Sequence, residues 1–309
     1  MSVATGDHLV VVINPAASFG KNSGVGDQVL ALLREAGYEA DGVRAANYAA
    51  LQTATRQAIG PTTRALVIVG GDGMVHLAVE LCGEYSLPLG VIPTGTGNDL
   101  ARHLGIPLGD VASAVADLVE GFAKVPIAID RGVAKDSAGV SHPFACVLSA
   151  GFDAIVTERA NRLRFPKGRH RYTIALLIEL AQLRPRRYVL TIDGVEETGS
   201  YLLVAVANSQ SFGGGMKVTP AASLQDGKLD VFTLAPLSRL AFLRIYPRVF
   251  RGLHVSDHRV SIRQASTVRV ECEGVVAFAD GEVVSALPID VSVERGRLHV
   301  FAPRFGQPA

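Results

Sequence analysis

Gly70-Gly71-Asp72-Gly73 sets one carboxylate among three glycines. Glycines let the backbone turn sharply and leave room for a ligand. N–H groups presented by such a turn suit a phosphate. A bare carboxylate repels phosphate unless a metal ion lies between them, so Asp72 points to a Mg-nucleotide site. The plainer alternative is a tight turn with Asp72 as a helix N-cap. The stretch lacks the third glycine of the dinucleotide fingerprint and the Lys-Ser/Thr of a P-loop. A second turn, Thr94-Gly95-Thr96-Gly97-Asn98-Asp99, offers the Thr96 hydroxyl, several backbone N–H groups and Asp99. Further on, Phe278-Ala279-Asp280-Gly281-Glu282 places two carboxylates two residues apart. That is either an ordinary Asp-Gly hairpin turn or a base or metal carboxylate brought to a site.

These groups need a scaffold. Leu66 to Val69 is a short apolar run that reads as a buried parallel strand, and Met74 to Leu81 resumes with a helical pattern. Leu9 to Ile13 reads as a first strand, stopped by Asn14-Pro15. A small-residue loop carrying Lys21 and a helix with Val25, Val29, Leu32, Leu33 and Ala36 on one face follow, closed by Gly37. Glu39 to Ala45 is a weak strand, Tyr48 to Ile59 a helix, Pro88 to Pro93 a strand and Leu100 to Leu104 a helix. The alternation continues to about residue 121 and predicts a parallel sheet with helices on both faces, a doubly wound α/β domain. Both glycine turns then lie at strand C-termini, where open α/β sheets bind ligands.

Near Lys124 the texture changes. Ile127 to Ile129, Phe144 to Ser149, Tyr188 to Ile192, Leu202 to Ala207, Leu229 to Leu234, Val268 to Cys272 and Ile289 to Val293 are short runs, parted by turns such as Asp193-Gly194 and Asp226-Gly227. They predict an antiparallel β-rich domain with helical insertions at 155–183 and 239–250. Leu298 to Phe301 could close this domain or return to the first.

Composition narrows the function. The 309 residues are 48% hydrophobic and 19% charged, with a net charge of +1. No global field favours nucleic acid, and none is expected as a partner. Cys82, Cys146 and Cys272 are far apart and show neither metal spacing nor a disulfide framework, which fits a reducing cytosol. No signal peptide is read at the N-terminus. No apolar stretch approaches the ~20 residues of a membrane span.

Taken in order, Gly70 to Gly73, Pro93 to Asp99, Ser223-Leu224-Gln225-Asp226-Gly227-Lys228-Leu229-Asp230 and Ala279 to Glu282 give the chain a family likeness. It resembles the soluble bacterial diacylglycerol kinases, relatives of the diacylglycerol, sphingosine and ceramide kinases, over nearly its whole length. The Gly-Gly-Asp-Gly turn alone is shared with NAD kinases and phosphofructokinases. The resemblance implies two domains with a cleft between them, at 1–126 with a return strand at 297–309 and at 127–296, and an ATP- and Mg²⁺-dependent kinase in phospholipid metabolism, cytoplasmic and peripherally bound to membrane. It implies ATP contacts from Asn14, Pro15, Ala16, Ala17 and Ser18, and from Gly70, Gly71, Asp72, Gly73, Met74, Val75 and His76. Gly95, Thr96, Gly97 and Asn98 would lie nearby. Asp72 would hold the catalytic Mg²⁺, directly or through water, with Asp99 and Asp130 extending that network. Glu282 would be the general base and Asp280 its neighbour. A structural Mg²⁺ would take the Asp226 carboxylate and the backbone carbonyls of Ser223 and Lys228.

The chain departs from the family pattern at three places. Met74 stands where threonine is usual, His76 where asparagine is frequent, and Ala45-Ala46 where a threonine often follows the second strand. An altered ATP geometry is expected, and the backbone amides remain. Arg159, Arg162, Arg164, Lys167, Arg169 and Arg171 precede apolar Ile174 to Ile178, and Arg184, Arg186 and Arg187 follow. This is either a core helix with solvated basic ends or a dock for an anionic membrane. The acceptor is expected to be diacylglycerol. A sphingoid base, ceramide or monoacylglycerol, or a nucleotide-binding regulator without turnover, are the rivals, and homodimerisation is left open.

Overall fold

The computed structural model describes residues 8–14, 24–151, 156, 159, 178 and 184–306. They form two compact units, one of residues 1–129 with 296–309 and one of 130–295.

The first unit is a parallel sheet in the order β2-β1-β3-β4, from β1 (His8–Ile13), β2 (Glu39–Val43), β3 (Thr63–Gly70) and β4 (Leu89–Pro93). Leu9 to Val12 and Leu66 to Val69 are almost wholly buried, as expected of strands covered on both faces. Helices α1 (Val25–Glu35), α2 (Tyr48–Ala58), α3 (Asp72–Tyr85), α4 (Asp99–His103) and α5 (Val111–Phe122) connect or follow them. Their starts are local chemistry. Asn47 accepts the Ala50 N–H and opens α2; Asp110 accepts those of Ala112 and Ser113 and opens α5. Gly37, at φ 93°, follows the end of α1, and Ser86 takes the left-handed C-cap of α3.

The second unit is a pair of antiparallel sheets. One contains β5 (Ile127–Lys135), β6 (Ser141–Phe144), β8 (Arg186–Ile192), β9 (Val195–Tyr201), β13 (Thr267–Glu271) and the first part of β16 (Ile289–Val300), with β7 (Val147–Gly151) in the other sheet. That other sheet runs β12-β11-β10-β7-β14-β15, adding β10 (Leu203–Ala207), β11 (Leu229–Leu234), β12 (Val260–Ala265), β14 (Val276–Ala279) and β15 (Glu282–Ala286). Phe144, Tyr188, Leu190 and Val270 from the first sheet meet Leu148, Val204, Val206 and Val231 from the second in one core. Each such side chain, fully buried, contributes about 1.5–3 kcal/mol. Asp193-Gly194 turns β8 into β9 with both residues at positive φ, the expected two-residue hairpin. Helix α6 (Arg239–Val249) follows β11.

The fold class is as the sequence predicts, with one difference of detail. Ile289–Val293 and Leu298–Phe301 are not separate strands. Ile289–Val293 and Leu298–Val300 both belong to β16, whose end lies parallel to β4 with Val300 opposite Leu89, and Phe301 follows it. Its charged middle holds an ion pair between Glu294 and Arg131 at 2.7 Å, so the polar stretch remains extended.

Candidate active site

The parallel sheet brings three strand ends together. Ile13 pairs with Val69, and Gly70 with Pro93. The Asn14 N–H donates to the Val69 carbonyl at 3.2 Å, which sets Asn14 beside the first glycine turn. The second turn lies directly on the first. The Thr94 N–H donates to the Gly70 carbonyl at 2.9 Å. A methyl group on Gly95 would strike the Gly71 backbone, and one on Gly97 would strike the Asp72 carboxylate. Glycine is required at these points because two backbones share the space.

Asp72 fastens the pair. Gly71, not Asp72, is the N-cap of α3. The Asp72 carboxylate reaches across instead and accepts the N–H groups of Asn98 at 3.1 Å and Asp99 at 2.8 Å. It thus lies at the N-terminus of α4, where negative charge is favoured. Asn98 is left-handed, at φ 54°. Its side chain folds back on Gly95, accepting the N–H at 3.0 Å and donating to the carbonyl at 2.9 Å. Thr96 is exposed at the tip, while Asp99 is buried. Met74 is buried with its side chain folded over Gly70, and His76 is half-buried. Pro15, Ala16, Ala17 and Ser18 lie outside the described residues.

The acidic turn of the second unit is built differently. Asp280 and Gly281 are the two-residue loop between β14 and β15, both at positive φ. The buried Asp280 carboxylate accepts three backbone N–H groups, from Ala145 at 2.7 Å, Cys146 at 2.9 Å and Val147 at 3.1 Å. Glu282, the first residue of β15, is exposed.

In the same unit, Asp130 of β5 is bonded to the loop of residues 223–228. Its N–H donates to the Leu224 carbonyl at 2.6 Å, and its carboxylate accepts the Gly227 N–H at 2.6 Å. Exposed Asp226 accepts the Lys228 N–H at 2.9 Å. Burial, with the Asp226 charge as a second cause, pushes the Asp230 carboxyl up to about 6. Sequence reasoning missed Asn208. Fully buried after β10, it donates to the carbonyls of Asp130 at 2.9 Å and Ala145 at 2.8 Å. It thus ties the 223–228 loop to the segment that holds Asp280. A lone asparagine closing an apolar run was its only signal.

Among the described residues no three His, Cys, Asp or Glu side chains cluster to hold a metal. The donors present still suit Mg²⁺, which keeps several waters and takes only one or two carboxylates. Asp72, in the first glycine turn, could supply a carboxylate to one ion, and Asp226, in the 223–228 loop, a carboxylate to a separate one.

Comparison with known proteins agrees with this architecture. The diacylglycerol kinase catalytic domain model matches residues 8–127, and the YegS C-terminal NAD kinase beta sandwich-like domain model matches residues 146–302. The diacylglycerol kinase of Mycobacterium tuberculosis is 41% identical over 250 residues, covering 81% of this chain and 80% of its own. That of Bacillus subtilis is 29% identical over 287 residues, 90% of each chain. A diacylglycerol kinase crystal structure from Bacillus anthracis superposes with a TM-score of 0.75 at 20% identity, over 96% of this chain and 98% of that one. An NAD kinase from Archaeoglobus fulgidus in complex with ATP shares the fold more distantly, with a TM-score of 0.55 at 16% identity over 96% and 95% of the two chains.

Proposed function

This chain belongs to the diacylglycerol kinase family of lipid kinases, and from that premise we propose that it moves the γ-phosphate of ATP onto diacylglycerol, making phosphatidic acid. The observation that carries the nucleotide half is the pair of glycine turns locked by Asp72 at the strand ends. The names of the relatives support the acceptor.

Phosphoryl transfer needs alignment and charge neutralisation more than covalent help. Asp72, with Asp99 in the adjoining turn, would hold a Mg²⁺ ion that would neutralise phosphate charge. The N–H groups of the first glycine turn and those of Thr96 and Gly97 in the second orient the phosphates, with Asn14 and the Thr96 hydroxyl beside them. Asp72 and Asp99 are the carboxylates nearest that cradle. Glu282 accepts the proton of the lipid hydroxyl as its oxygen attacks the γ-phosphorus and the β–γ bridging bond breaks, leaving ADP. Asp280 holds the turn that presents Glu282. Asp226, with the Ser223 and Lys228 carbonyls and Asp130 behind the loop, would hold a second, structural Mg²⁺.

The acceptor lies in a bilayer, and the basic segment 159–187 is the surface expected to meet anionic lipid there. Most of that segment, residues 160–177 and 179–183, lies outside the described residues. Among the described residues no helix is long and apolar enough to cross a membrane. The test of function is phosphate transfer from radiolabelled ATP to a panel of lipid alcohols in mixed micelles. Label in phosphatidic acid alone supports the proposal. Label only on ceramide, a sphingoid base or monoacylglycerol would reassign the acceptor. Nucleotide binding with no transfer to any lipid would make the protein a regulator.

A further inference from the structure

The helix α6 and the turn after it carry an exposed face that the proposed chemistry does not use. Leu240, Leu243, Pro247 and Phe250 recur at three- and four-residue spacing, so they share one side of the helix. Leu240 is 72% exposed, Leu243 49% and Phe250 43%. The opposite side is the one the unit buries, through Phe242 and Ile245. The chain then turns at Gly252 into a short 3₁₀ helix, Leu253–Ser256, where Leu253 and Val255 are also exposed, at 47% and 43%. Arg248 ties the two pieces together, donating to the Leu253 carbonyl at 2.8 Å and the Ser256 hydroxyl at 2.9 Å. Buried His254, bonded to the Val218 carbonyl at 2.9 Å, pins the turn to the rest of the unit.

Five apolar side chains therefore stand out on one pinned element, at positions a folded chain ordinarily covers. The charge around them is of one sign. Arg239, Arg244, Arg248 and Arg251 are interleaved with the apolar residues and exposed, and no acidic residue occurs between Asp230 and Asp257. Apolar side chains framed by arginines on a short amphipathic helix are the chemistry of a helix lying in the headgroup region of an anionic bilayer. A two-fold contact with a second copy would set arginine against arginine. We propose that α6 and the turn at 253–256 form a membrane-docking platform, with Leu240, Leu243 and Phe250 entering the interface of an anionic bilayer and the arginines meeting its headgroups.

The platform goes beyond the kinase reading and is tested without turnover. Vesicles of phosphatidylcholine with and without phosphatidylglycerol are sedimented with the full chain and two variants. In one, Leu240 and Leu243 become Ser; in the other, Arg244 and Arg251 become Gln. All four positions are exposed, and thermal melting checks that both variants fold. The leucine variant is expected to bind anionic vesicles about tenfold more weakly at both low and high salt, because it loses insertion. The arginine variant is expected to lose roughly as much at low salt and little at high salt. Wild-type binding by both folded variants overturns the platform, as does failure of the wild type to bind anionic vesicles. A change of oligomeric state in the leucine variant with unchanged vesicle binding also overturns it and makes the face a contact between copies. The lipid panel separates the two readings: vesicle binding lost through α6 without phosphate transfer to any lipid would leave the platform standing and the kinase reading failed.

Discussion

Both acid-bearing glycine turns spend an aspartate on backbone amides, and the amides differ in what they hold. Asp72, at the first position of its helix, accepts two N–H groups from a second glycine turn. Its effect is to hold the two glycine turns against each other. Asp280, inside a two-residue hairpin, accepts three N–H groups from a neighbouring chain segment. Its effect is to fix the hairpin rigidly while Glu282 stands exposed beside it. In the first turn the carboxylate proposed to face the phosphates is also the clamp. In the second, clamp and proposed base are separate residues. Substitution should therefore separate stability from activity in the hairpin and fail to separate them in the first turn.

The largest effect is expected at Asp280. Asp280→Ala strips the acceptor from three N–H groups in a buried place, each worth about 1–3 kcal/mol, so the loss should be at least ~3 kcal/mol. For a unit of this size that is a fall in Tm on the order of 10 °C. A Tm within a degree or two of wild type would mean the three amides find other partners. Next comes Glu282→Gln. Its Tm should be unchanged, since the side chain is exposed, while turnover falls at least ~100-fold, the scale of a lost general base. Near-normal turnover would remove Glu282 from the mechanism, and a matching loss of stability would erase the division of labour in this hairpin.

The parts of this arrangement that could be read from sequence are those written in consecutive residues. The strand, glycines and helix around Asp72 are adjacent, and so are the Asp193-Gly194 and Asp280-Gly281 turns. The partners of the two aspartates were not legible. Asn98 and Asp99 lie 26 and 27 residues beyond Asp72, and Ala145 to Val147 more than 130 before Asp280. A backbone N–H has no sequence signature, because every residue but proline carries one. The glycines at 95 and 97 could be read as a loop, yet the reason for them is the neighbouring backbone. Asn208 was missed for the same cause: its partners are carbonyls. Strand β16 was split because Glu294 to Arg297 interrupts its apolar pattern, while an ion pair to Arg131 keeps it extended.

Gly95→Ala sharpens the account of the first turn. The added methyl meets the Gly71 backbone, which cannot swing aside as a flexible side chain would. The two turns must part, and overpacking of this kind costs about 1–3 kcal/mol. ATP affinity should fall together with Tm, measured by titration calorimetry and melting on one preparation. Loss of affinity with an unchanged Tm would show that the turns are held together from elsewhere and that Asp72 is no clamp.

The smallest effect concerns Asp230, beside the proposed structural cation. Burial, reinforced by the Asp226 charge, raises its carboxyl to about 6, against an ordinary value of 3.8. Between those values the folded chain holds a proton that the unfolded chain has released, so its stability falls as pH rises from about 4 to 6. The whole difference is worth at most about 3 kcal/mol, and less in salt, because exposed Asp226 is screened. Asp230→Asn should flatten the pH dependence in this window and melt above wild type at pH 7.5 without Mg²⁺. A cation at the Asp226 loop would oppose this loss in the wild type, since it favours the charged carboxyl. Mg²⁺ without nucleotide should therefore raise the wild-type Tm by a few degrees at pH 7.5 and by less at pH 5, and Asp226→Ala should abolish the rise. An equal Mg²⁺ effect at both pH values would uncouple Asp230 from the loop. No Mg²⁺ effect at either would leave Asp226 a turn-forming residue, holding its loop through the Lys228 N–H and the Gln264 side chain.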